Sequence, residues 1–191
     1  MFWLALLLSL PIDASTSSQR ATPAAETCSY DREKLALGFD AFDQDMKGGW
    51  RALADKPGCG KAAADMIRAY RLNYQERIHL LYWHEAQLRA SNGDYAAAIP
   101  LMEKSRQPPT QDDFGWNPYV DATIAFLRND RVALLAARRR LTAVTKPSDL
   151  PATEKWPPNL TVIDRLIQCF GVPYQAAYGG TCLQADPARA R

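Results

Sequence analysis

Histidine and cysteine are scarce in this chain, with two of the first and four of the second in 191 residues. The scarcity narrows the chemistry at once. No C-x-x-C pair occurs, so the clustered thiols of a structural zinc site are missing. His79 and His84 lie five residues apart, which turns their rings to diverging faces of one helix. The zinc-peptidase order, His-Glu with a second His three residues further on, does not occur, nor does a Gly-x-Ser-x-Gly segment. Neither sign of charge dominates: 23 Lys and Arg face 21 Asp and Glu, a net charge of +2. That balance excludes nucleic-acid binding by bulk charge. The apolar opening run is shorter than the ~20 residues that span a bilayer. No stretch alternates apolar and polar residues between hairpin turns, which argues against a β-rich body.

What is present begins with that opening run, Phe2 to Leu10, followed by Pro11. Its length is that of a signal-peptide hydrophobic region, although no Lys or Arg precedes it. Ile12 and Ala14 fit positions −3 and −1 of a cleavage point, making residues 1–14 an expected signal peptide and Ser15 the mature start. Residues 15–27 read as a flexible linker, residues 28–182 as one all-helical domain and residues 183–191 as a flexible tail. An even number of cysteines in an exported chain favours two disulfides. Of the three connectivities open to Cys28, Cys59, Cys169 and Cys182, the simplest joins neighbours, Cys28 to Cys59 and Cys169 to Cys182. The expected location is periplasmic or secreted, with no integral membrane segment in the mature chain.

The periodic segments read as helices, and the fold class is all-α. Leu35, Phe39, Phe42 and Met46 predict one helix over about 31–47, ended by Gly48-Gly49. Trp50 to Ala54 predicts a short turn of helix. Further apolar stripes predict helices over about 61–72, 74–90 and 94–105. Pro118 suits an early helical position, and Asp130 an N-cap. The helix that Asp130 opens runs to about Val144. Four prolines between 145 and 158 mark a loop, and Leu160, Ile163, Ile167 and Phe170 make a last helix. Asp112-Asp113 fall in a loop and read as solvated carboxylates. Arg138, Arg139 and Arg140 end a helix, where cations complement the helix dipole. They also raise a local basic excess, ten basic against five acidic residues over 126–191.

Trp50, Trp83 and Trp116 are spaced by 33 residues each. Trp50 and Trp83 each precede a glycine by ten residues, Gly60 and Gly93, and an alanine-rich helix follows each glycine. A period near 34 is that of stacked helical hairpins. In the middle unit Ala86, Gly93-Asp94-Tyr95, Ala98, Ser105 and Pro108-Pro109 fall at the small, turn and terminating positions of a tetratricopeptide repeat. The segment 80–106 therefore resembles that family. The unit from about 115 to 144 resembles it less, with Leu134 where a small residue is expected. The first unit is the most degenerate, broken by Pro57-Gly58.

The resemblance implies a short solenoid of antiparallel hairpins with a C-terminal capping helix. It also implies a concave groove on the first helix of each pair, lined by Leu80, Trp83, Gln87, Trp116, Tyr119 and Thr123, that receives a protein or peptide. The Lys, Asn and Arg of carboxylate-clamp repeats are missing from those positions. The function expected is an exported protein- or peptide-binding module, in one form a periplasmic immunity or inhibitor protein. An envelope assembly scaffold and an enzyme acting on an envelope polymer are the alternatives. No cofactor, metal, catalytic residue or nucleic-acid partner is expected.

Overall fold

A computed structural model describes residues 28–74 and 78–185. The expected signal peptide and linker, residues 1–27, lie outside the described residues, as do residues 186–191 of the expected tail. Among the described residues every regular element is helical: α1 (Arg51–Ala54), α2 (Gly60–Arg71), α3 (Ile78–Ser91), α4 (Tyr95–Lys104), α5 (Trp116–Leu127), α6 (Arg131–Thr142), α7 (Leu160–Gln168), α8 (Tyr174–Gly179) and α9 (Thr181–Ala185). The all-α class stands. None of these helices is long and apolar enough to cross a membrane.

The main packing runs along the chain, α2 on α3, α3 on α4 and α5 on α6, with α7 against both α5 and α6. Small residues permit the close approaches: Ala86 and Ala98 are fully buried between α3 and α4. The two hairpins α3–α4 and α5–α6 turn by one hydrogen-bond pattern. In the first, Gly93 N–H donates to Ala90 O and Asp94 N–H to Arg89 O; in the second, Asn129 N–H donates to Phe126 O and Asp130 N–H to Ala125 O. Each pattern closes the helix C-terminus with a left-handed residue, Gly93 or Asn129. Each following aspartate then caps the next helix, Asp94 accepting from Ala97 N–H and Asp130 from Ala133 N–H.

The core has two parts that meet at α3. Leu81 belongs to an N-terminal cluster with Phe42, Leu53, Met66, Ile67 and Tyr70. Trp83 and Ala86, two and five residues further on, belong to a larger cluster built from α3 to α9. Two disulfides tie the extremities, Cys28 to Cys59 before α2 and Cys169 to Cys182 across α8.

Two regions differ from the sequence expectation. The single helix over 31–47 is instead a 3₁₀ turn at Arg32–Ala36 and a π-helical turn at Asp40–Gln44, separated by extended Leu37. The Leu37 carbonyl accepts from the hydroxyls of Tyr70, at 2.8 Å, and Tyr74, at 2.9 Å. Those phenols take the acceptor that a continuous helix would use internally. Phe42 stacks on Tyr70 at 3.5 Å, and Met46 is left 69% exposed. At the other end, the chain forms α8 and α9 beyond the helix expected to be last, so Leu183 and Gln184 lie in a helix.

Candidate functional site

The six expected groove residues come from α3 and α5, and the structure brings three of the rings together. The Trp83 ring lies 5.0 Å from that of Trp116 and 4.9 Å from that of Tyr119. Trp116 Nε1 donates to Ser105 O, and Thr123 Oγ1 donates to Tyr119 O one turn back. This face is not an open groove. Trp83, at 3% exposure, Tyr119, at 2%, and Thr123 are buried, while Leu80, Gln87 and Trp116 are half-buried.

The cover is the chain's own C-terminus. Helix α8 packs against α3 and carries the buried Tyr174 into the same cluster. Tyr174 sits beside Gln87, its backbone N–H donates to Tyr95 Oη, and its ring faces Phe126 at 6.2 Å. Burial, together with the neighbouring phenols of Tyr174 and Tyr178, pushes the Tyr119 hydroxyl well above its ordinary pKa. These groups are therefore core, and the expectation that they line an accessible trough is corrected for Trp83, Tyr119 and Thr123.

A second cluster gathers on the other side of α3. Asp43, from the π-helical turn, is fully buried. Its Oδ1 accepts from Trp50 Nε1 at 2.9 Å and faces His84 Nδ1 at 2.7 Å, while Oδ2 accepts from Gln44 Nε2. Burial alone would raise the Asp43 pKa; the bond and charge of His84, with the Trp50 and Gln44 donors, outweigh it and hold the carboxyl below its ordinary value. An ionised carboxylate only accepts, so His84 Nδ1 carries the hydrogen between the two groups. Gly49 lets the chain close this corner. Its φ is +49°, and a Cβ there would stand 1.8 Å from the Phe42 carbonyl oxygen. The sequence flagged His84 but not its partner, although Asp43 stands four residues after Phe39, inside the apolar stripe.

Glu85 is structural. Buried beside His84, it accepts from Arg71 Nε at 2.7 Å and from Arg89 Nε and Nη2 at 2.9 and 2.7 Å. The Arg71 guanidinium also lies over the Tyr82 ring, 4.3 Å from its centroid. The basic run is largely paired as well: Arg138 meets Asp164 and Arg140 meets Asp121. Asp112 is a cap and not simply solvated; its two oxygens accept from Trp116 N–H and Asn117 N–H in the first turn of α5.

Beyond that cap lies a hollow of about 590 Å³ between the α4–α5 connection and the chain that follows α6. Phe114, Val144, Pro147 and Leu150 give it apolar walls, and Asp112, Asp113 and Asp149 give it charge. Phe114 is 52% exposed and meets the Trp156 ring at 5.6 Å. The sequence had singled out the two adjacent carboxylates but not Phe114, whose exposure depends on where the loop after α6 folds back. Among the described residues no three His, Cys, Asp or Glu side chains are placed to hold a metal ion. No family model, curated protein or solved structure matches the chain.

Proposed function

We propose that the chain is an exported protein- or peptide-binding module, built on degenerate tetratricopeptide-like hairpins, and that an inhibitor or immunity protein of the periplasm is its specific form. The observation that carries the reading is the contrast between a locked interior and an open hollow beside the exposed Phe114. The chain packs α8 against α3 beside the Trp83–Trp116–Tyr119 rings and carries two disulfides, one toward each end. A body made rigid in this way loses little freedom when it docks. Phe114 is left outside that packing, in a recess with carboxylates around it. The disulfides support an oxidising compartment, which agrees with the export signal read from residues 1–14.

The test is affinity capture of the tagged chain, expressed with its own leader, from non-reduced envelope extract. Stoichiometric recovery of one lytic or toxic enzyme, with its activity suppressed, is the expected result. Recovery of envelope-complex subunits points to a scaffold.

One observation favours an enzyme as the second reading. Asp43 orients His84 through Nδ1, the arrangement that prepares an imidazole as a general base. If the purified chain hydrolyses an envelope polymer and His84→Ala abolishes that activity while the protein stays folded, the enzyme reading replaces the binding one.

A further inference from the structure

We infer that the hollow beside Phe114 receives a basic segment of a partner protein, an arginine or lysine with an apolar neighbour. The inference rests on the binding reading above and adds the chemistry of the occupant.

Charge is the first argument. The chain as a whole carries +2, yet the residues that line the hollow include Asp112, Asp113 and Asp149 and no lysine or arginine. The nearby Lys146 ammonium donates to the carbonyls of Pro151 and Glu154, at 2.7 and 2.8 Å, and forms no ion pair with the carboxylates of the hollow. Asp113 and Asp149 enter no ion pair among the described residues.

The aromatic wall is the second argument. Among the described residues, Phe114 is the aromatic one of four large apolar side chains left at least half exposed, with Met46, Leu72 and Val132. It is backed by Trp156, whose Nε1 donates to Val144 O at 2.8 Å and so fixes the indole. A ring face and carboxylates in one recess match a long cationic side chain. The methylene stem covers the ring, the charge meets its quadrupole, and the head pairs with Asp113 or Asp149. The volume lies in the ordinary range for ligand sites, about 300–1,000 Å³. The recess is open to solvent, which suits a chain segment laid across it better than an engulfed small molecule. The carboxylates are also not gathered closely enough to hold a single metal ion.

The experiment uses the full mature chain and a labelled short peptide that alternates arginine and leucine, followed by fluorescence anisotropy. A peptide with glutamate in place of arginine is the control. Saturable binding of the basic peptide, weakened by salt, and no binding of the acidic one are expected. Asp113→Asn combined with Asp149→Asn, and separately Phe114→Ser, each weaken binding by about tenfold or more. All three side chains lie at the surface, so unchanged helical circular dichroism and melting temperature verify the fold of each variant. No binding by the wild-type chain, or equal binding by the variants, overturns the inference. So does light scattering that shows a dimer lost in Phe114→Ser, which makes a second copy the occupant. If the variants still capture the envelope partner at full strength, the binding reading stands and this inference falls.

Discussion

Asp43 places a carboxylate where water does not reach, and every direction around it is answered by a donor. Trp50 and His84 share one oxygen, and Gln44 takes the other. The folded pKa lies below the ordinary aspartate value of 3.8. A depressed carboxylate stabilises the fold above the unfolded pKa, and that contribution is lost as pH falls through the folded one. Asp43→Asn is therefore expected to cost about 1–3 kcal/mol near neutral pH, where the amide must offer the wrong group to at least one donor. The gap between wild type and variant should narrow in acid, below 3.8. Urea unfolding of both proteins at neutral and acid pH measures it; a gap independent of pH would show that the charge of Asp43 contributes nothing. At this scale the sequence was half legible. The 33-residue spacing of the tryptophans does not place them alike: Trp83 meets Trp116, whereas Trp50 tilts against His84 at 5.4 Å.

Helix α8 is six residues long, too short to hold itself in water, and its place is set by what it covers. Tyr174 is fixed by its contact with Phe126, and its backbone by Tyr95. Tyr174→Ala should destabilise the protein by about 3–5 kcal/mol, the usual loss for a buried ring. It should also raise the quenching of tryptophan fluorescence by a neutral quencher, because Trp83 loses part of its cover. Unchanged quenching would mean that α8 does not shield that face. The longer helices α2 to α7 could be read from spacing because their apolar stripes, caps and stop signals agree. Residues 31–47 could not, since the stripe of Leu35, Phe39, Phe42 and Met46 is satisfied by a helix on paper. The competing partners of the Leu37 carbonyl, Tyr70 and Tyr74, lie more than thirty residues away. The hollow was hidden for the same reason. Its walls come from two connections, and neither has a period.

At the largest scale the described residues form two apolar clusters that share α3, each with a disulfide among its residues. The Cys28–Cys59 bridge spans 31 residues and holds a region whose local helices are irregular. In the chain-entropy model its removal costs about 3–4 kcal/mol. Cys28→Ser with Cys59→Ser should shift the thermal midpoint down accordingly, and with it the near-ultraviolet signal of the stacked Phe42, Tyr70 and Tyr74 rings. A midpoint equal to that of wild type would show that packing alone closes the N-terminal cluster. Both bridges also join cysteines that are consecutive along the chain. On the export route proposed above, a chain threaded N-terminus first through a translocation pore would bring out each correct thiol before any wrong one. An oxidant that couples thiols in order of emergence then arrives at the native pairing without a reshuffling enzyme.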